Sequence, residues 1–314
     1  MAGFNISALA DHIKNEQQNM LSAMVADAGT IKSGKVAVMD GIKYKQRIPF
    51  FAKNLAWQSG NCVGDDSTSG STVFTEKELE VAQITHYDKS CIDDFNNKWM
   101  GDFLPQGSTY SDADYPQEIA DNMVELTAED VEIGIWIGGY ANTSEGLNGQ
   151  VDGWMKSLVA TAYSSSTFTT DSSVTSFTTS NAAGYVSELY NNAPSSIASK
   201  SLNLFLGRAN YNKLKESLLT AFPNYTEINR VEGTESFTHP IYTNMEIYPT
   251  HGLDSVNAVV LSNDGNLVVG MDAVEDMEVK VGYIEDEDKV FERIKMKLGT
   301  EVKFESQVGV ITWA

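Results

Sequence analysis

Cysteine, histidine and positive charge are all scarce in this chain, and each scarcity removes a class of chemistry. The 314 residues hold two cysteines, Cys62 and Cys91. Two cannot build the multi-bridge framework of a small secreted scaffold, and their spacing matches no zinc motif. The four histidines, His12, His86, His239 and His251, form no i, i+4 pair and have no accompanying carboxylate pattern, which argues against a metal hydrolase. No run of 18 apolar residues occurs, so no membrane-spanning helix and no membrane partner is expected. The opening Met1-Ala-Gly-Phe-Asn-Ile-Ser7 lacks the basic and apolar regions of a secretion signal. The expectation is synthesis in a reducing cytoplasm, and the Asn-x-Ser/Thr sequons at Asn5, Asn142 and Asn224 carry no weight.

What is abundant is acid. Lys and Arg number 22 against 43 Asp and Glu, a net charge of −21. Residues 1–60 run the other way, with seven bases against four acids, so the remainder carries −24. An acidic body disfavours tight nucleic-acid binding, because phosphate needs positive surface. A mildly basic leading segment on such a body suggests that one copy's arm lies on another copy. With 42% hydrophobic residues, the chain has ample material for a folded core.

Along the chain, Ile6, Leu9, Ile13, Met20 and Met24 predict a helix over 5–27. Residues 28–55 show no helical period and read as an extended arm. A polar stretch, Gly64-Asp-Asp-Ser-Thr-Ser-Gly-Ser71, separates Leu55-Ala-Trp57 from an alternating strand over 73–87, which predicts a long hairpin. A short helix is expected at 92–100, then a loop with Pro105 and Gly107. Pro116 opens the strongest helix, with Ile119, Met123, Leu126, Ile133 and Ile137 on one face as far as Gly138. At about 22 residues it would span roughly 33 Å. Further helices are expected at 150–163, 181–193 and 211–222, and strands at 202–206, 241–247, 258–261 and 267–272. Fourteen of residues 161–180 are Ser or Thr, which reads as a solvated loop. In the tail, Val290, Ile294, Met296, Leu298, Val302 and Phe304 interleave with charged residues, the alternation of a long half-buried strand.

Candidate chemical motifs fail one by one. Gly29-Thr-Ile-Lys-Ser-Gly-Lys-Val36 fits Gly-x4-Gly-Lys, but Val36 stands where Ser or Thr must reach magnesium, and a helix precedes it instead of a strand. Gly60-Asn-Cys-Val-Gly64 resembles a nucleophile elbow around Cys62 but lies in a polar loop; only His86 is near in sequence. Glu285-Asp-Glu-Asp288 lacks the spacing of a calcium loop and reads as a solvated turn. No catalytic, cofactor-binding or metal-ligating residue is expected.

The order of these elements, closing on the alternating tail and on Leu202-Asn-Leu-Phe-Leu-Gly-Arg-Ala-Asn-Tyr-Asn-Lys-Leu214, resembles the tailed-bacteriophage major capsid proteins of the Hong Kong 97-type fold. The resemblance covers nearly the whole chain and rests on element order more than on residue identities. It implies an α+β capsid fold: an N-terminal arm (1–55), an E-loop hairpin (56–91), a peripheral domain (92–155 and 276–306) with a spine helix at 116–138, and an axial domain (156–275 and 307–314). Val279–Phe304 would be its long peripheral strand and Val308–Trp313 the strand returning to the axial sheet. It further implies copies of itself as hexamers and pentamers. Portal, scaffolding and decoration proteins would be partners, and DNA would be enclosed in a virion without sequence-specific contacts. The arm starts near Met1, so any scaffold is expected to be separate or already trimmed. Some members form a Lys–Asn cross-link; Lys77 and Lys89 lie in the hairpin, but no partner Asn with a catalytic Glu is identifiable, and no cross-link is expected. Competing readings are an encapsulin-like shell around protein cargo, a secreted β-rich adhesin, and an enzyme.

Overall fold

The computed structural model describes Met20 and residues 23–54, 71–91, 115–140, 147, 149–162, 174–222, 235–272, 278–284, 286–287 and 289–313. The Cys62 motif and the helix expected at 92–100 lie outside these residues, as does most of the helix expected at 5–27.

One strand organises the peripheral half. β11 (Lys289–Val302) alternates buried and half-buried positions, as its sequence predicts. Along one side it pairs with β4 (Ala82–Cys91), from Lys289↔Cys91 to Leu298↔Ala82. Along the other it pairs first with β10 (Glu278–Ile284) and then with β9 (Leu267–Met271). A short parallel strand, β1 (Ala37–Met39), adds to β9. The expected single strand over 279–304 is therefore a hairpin, β10–β11, whose turn contains Asp286 and Glu287. The acidic run is where the chain reverses, because charged side chains keep a turn in water.

The spine helix α2 (Tyr115–Ile137) lies against the inner face of this sheet. It buries Met123, Val131, Ile135 and Trp136 with Ile84, Ile294, Met296 and Leu298. Helix α3 (Trp154–Ala162) joins the same core. The expected 155/156 domain boundary thus falls inside a helix of the peripheral core, and the 275/276 boundary leaves β9 on the wrong side, since it pairs with β11.

The axial half is a second five-stranded sheet in the order β12 (Gly309–Thr312), β8 (Ala258–Asn263), β5 (Leu202–Leu206), β7 (Met245–Pro249), β6 (Phe237–Thr238). Every residue of β5 is buried, which requires cover on both faces. Leu202, Leu204 and Leu206 face helices α4 (Ala182–Asn191), α5 (Ser195–Ala198) and α6 (Arg208–Ala221). Phe205 faces the other way, into the core shared with the spine helix. The strand expected at 241–247 begins later, at Met245, after a turn. A turn at Asn263-Asp-Gly265 joins β8 to β9, with Gly265 at φ +68°.

β3 (Ser71–Glu80) runs almost directly into β4, and the crossing over β11 is close. A Cβ on Gly299 would collide with the Glu80 carbonyl and the Val81 backbone. Gly299→Val should therefore destabilise the subunit by about 1–3 kcal/mol through overpacking, read as a lower denaturation midpoint. An unchanged midpoint would mean that the crossing is loose.

Candidate assembly surfaces

Three surfaces set how this chain could meet another. The first is the base of the arm. Helix α1 (Gly29–Lys32) sits on the spine helix through Thr30. The Thr30 amide donates to Glu132 Oε2 at 2.9 Å, and its hydroxyl donates to the other carboxylate oxygen. Trp136 Nε1 donates to Thr30 Oγ1 at 2.7 Å. All three residues are buried. This is the segment that fits Gly-x4-Gly-Lys, and its amide faces a carboxylate where a nucleotide site would need phosphate. Sequence reading passed over Glu132, although a lone acid one turn before Trp136 on an apolar stripe was the available signal.

Burial pushes the Glu132 carboxyl pKa up, outweighing the Thr30 and Trp136 hydrogen bonds and the nearby His251, which pull it down. A carboxyl with a raised folded pKa contributes its full stability below the unfolded value of about 4.3, and that stability is lost as pH rises through the folded value. Wild type should accordingly lose stability relative to Glu132→Gln as pH is raised from acid towards neutrality. Denaturant titrations across that range check this; parallel pH profiles for the two chains would refute it.

The second surface is the hairpin. β2 (Lys45–Asn54) pairs with β3 from Lys45↔Glu80 to Asn54↔Ser71. The ladder starts at Lys45, upstream of the 55/56 boundary expected between arm and hairpin. The run Ile48-Pro-Phe-Phe51 had masked the period of two. One face is ionic, with Lys45 to Glu80 at 2.8 Å and Arg47 to Glu76 at 3.0 Å. The root of the other face is held to the body. Ile48 and Leu79 are buried with Ile42, Val81 and Val268, and the Phe50 and Phe304 rings meet at 5.1 Å. Lys77 Nζ donates to the Val302 carbonyl at 2.8 Å and to Glu301 at 3.3 Å, and also to Glu305. Further out the body ends: Val73 and Phe74, on opposite faces, are 53% and 81% exposed.

Lys77 is thus a latch inside the subunit. Lys77→Met should cost about 1–3 kcal/mol, as for lost hydrogen bonds to charged groups, and should speed amide exchange in β2. Exchange at the wild-type rate would show that the apolar root holds the hairpin alone.

The third surface is the peripheral sheet, whose two faces differ in charge. On the inner face Asp88 stands opposite Glu292. Burial raises the Glu292 pKa and Asp88 adds to it, while His86 pulls it down. Asp130 of the spine helix is raised by burial too, with Glu129 adding and His86 again opposing. The outer face carries Tyr87, Phe291 and a set of lysines with Arg293. Lys89, one of the two candidate cross-linking lysines, pairs there with Glu287 of the acidic turn at 2.8 Å. Cys91 is exposed at the end of β4. Among the described residues no group of three or more His, Cys, Asp or Glu is placed to hold a metal, and no helix is long and apolar enough to cross a membrane.

No protein-family model and no curated protein matches the chain. Solved structures do. A procapsid of satellite phage P4 matches at TM-score 0.58 and 12% identity, over 94% of this chain and 98% of that one. The capsid of an empty GTA particle matches at TM-score 0.57 and 10% identity, over 91% and 90%. A virus-like particle from Pyrococcus furiosus matches at TM-score 0.52 and 14% identity, over 94% and 98%. The shared property is the fold: this chain has the α+β, Hong Kong 97-type architecture of capsid proteins.

Proposed function

We propose that the chain is the major capsid protein of a tailed phage, a structural subunit without enzymatic turnover. It would assemble as hexamers and pentamers into an icosahedral head around double-stranded DNA. The hairpin carries this reading. Its root is fastened to the body, yet its outer part leaves the body with an aromatic and a branched aliphatic side chain in water, and two strands alone are marginally stable. Neighbouring copies supply the missing cover, since subunit contacts bury surface on the scale of ~1,600 Å². The fold found in capsids, one of them that of the procapsid of a satellite phage, supports the same reading. DNA would be enclosed by the closed wall, without sequence-specific contacts. Portal, scaffolding and decoration proteins would complete a virion assembled in a bacterial cytoplasm. A second reading, an encapsulin-like shell holding protein cargo, is favoured by the likeness to a virus-like particle.

Electron microscopy of the purified full chain should show closed shells of uniform diameter, and a chain that stays monomeric under all conditions would overturn both readings. Nuclease-protected DNA inside native particles selects the phage head; a protein cargo without DNA selects the compartment.

A further inference from the structure

The turn between β6 and β7 is built on a histidine. His239 is 1% exposed, and its Nδ1 accepts from two backbone amides, those of Ile241 and Tyr242, both at 3.2 Å. Pro240, the residue between His239 and Ile241, has no amide to offer. A ring nitrogen that faces two N–H donors holds no proton itself. The imidazole is therefore neutral and carries its proton on Nε2, which is buried and meets no acceptor among the described residues. The arrangement does for this turn what the oxygen of an asparagine does in an Asx turn, accepting from the amide two residues on. Unlike that oxygen, an imidazole nitrogen takes up a proton within the range of ordinary solution pH.

Much of the axial edge hangs on this turn. The His239 and Tyr242 rings stack at 4.8 Å, and Tyr242 stacks on Tyr190 of α4 at 3.9 Å. The Tyr190 hydroxyl donates to Asn244 Oδ1 at 2.9 Å. The Asn244 side-chain amide donates to the carbonyls of Ala198, at the end of α5, and of Lys200 just beyond it. The His239 amide donates to the Met245 carbonyl, and the Met245 amide to the Tyr242 carbonyl, where β7 starts. The neighbouring titratable groups are accounted for elsewhere. Glu246 of β7, opposite Thr238 in the ladder, lies on the other face of the sheet, where it takes Lys35 at 3.0 Å and the Tyr248 hydroxyl. Tyr211 of α6 donates to the Glu235 carbonyl, and Arg208 pairs with the Glu235 carboxylate in water. Burial alone lowers the His239 pKa, from the ordinary 6.5 to about 4.

We propose that this turn is an acid-released catch. A proton taken up at His239 Nδ1 sets an N–H against the amides of Ile241 and Tyr242, so the imidazolium leaves its place. The Tyr242–Tyr190 stack and the edge strand β6 then come away while the rest of the axial sheet stays folded, a local opening in place of global unfolding. The closed turn excludes the proton and the open turn accepts it. Closure accordingly has its full stability above pH 6.5 and loses it as pH falls towards about 4. With one proton taken up on opening, the open population rises by about five- to tenfold for each unit of pH in that window. The inference stands whether or not the chain forms a shell.

Hydrogen exchange on the full chain, read by mass spectrometry from about pH 6 down to about pH 4.5 as protection relative to an unstructured peptide at each pH, tests this. Protection of the Ile241 and Tyr242 amides should fall by about five- to tenfold per unit of pH, while that of Leu202–Leu206 in β5 stays constant. His239→Asn keeps an acceptor at the same number of bonds from the backbone but has nothing to titrate, and should hold the protection of the turn constant across the range. Constant protection of the turn in wild type, or an equal fall in His239→Asn, would overturn the inference. So would a parallel fall in β5, which would mean that acid unfolds the axial half as a whole. That last comparison needs only wild type, so the test remains decisive if His239→Asn fails to fold.

Discussion

The double pairing of β11 is the constraint on which the rest of the molecule depends. A fourteen-residue strand is more than twice the usual 5–6 residues, and it holds together only because β4 lines one side while β10 and β9 share the other. Everything that reaches outward is attached to this strand. The hairpin continues from β4, the arm strand β1 pairs with β9, and the final strand returns to the axial sheet after a short turn at Glu305–Gln307. A slip of one residue would put Arg293 and Lys295 into the core and Ile294 into water. Register is therefore tightly specified, and with it the direction in which the hairpin leaves.

The two halves are joined by aromatic packing. Trp136, near the end of the spine helix, meets Trp154 edge-on at 4.9 Å and Phe205 of the axial sheet at 5.2 Å. Phe205 in turn contacts Tyr248 at 5.8 Å. The same Trp136 nitrogen binds Thr30, so arm, spine helix and axial sheet converge on one side chain. A core continuous across both sheets makes the body stiff, and a stiff body is a suitable anchor for a projecting hairpin. Glu132 is the cost of this arrangement: its buried carboxylate satisfies the Thr30 amide and hydroxyl while burial disfavours its charge.

How much of this was legible follows from where the local patterns were strong. The spine helix announced itself through Pro116 and its apolar periodicity, and it spans Tyr115–Ile137; of the expected stripe Met123 and Ile137 are buried, whereas Leu126 faces water. The run Leu202–Leu206 reads as a strand and is one, buried at every residue. Failures came where one pattern continued through a change of partner. β10 and β11 share the same alternation, so nothing but the acidic turn separates two strands that read as one. β2 lies in the segment that reads as arm, and it carries Pro49 in its ladder opposite Glu76. Proline is tolerated on an edge strand whose outward side needs no donor, and among the described residues β2 pairs only with β3. Domain boundaries were least legible, because they depend on which sheet a strand joins, and β9 joins the peripheral one through contacts with residues 298–302.

Two strands alone are marginally stable, and the structure divides the support of the hairpin at Lys77. Inward of it, Ile48 and Leu79 are buried and three acceptors converge on the ammonium. Outward of it, Val73 and Phe74 face water on opposite sides of the ribbon. The division matters because a hairpin loose at its root would lose much orientational entropy on docking, and one covered to its tip would have nothing left to offer a neighbour. Order at the root with exposure at Val73 and Phe74 keeps the cost of association low while leaving apolar and charged surface for it. The ionic face follows the same logic: Lys45 and Arg47 hold Glu80 and Glu76 in exposed pairs that can exchange partners. That balance suits the shell subunit proposed above, which would stay dispersed until many copies are present.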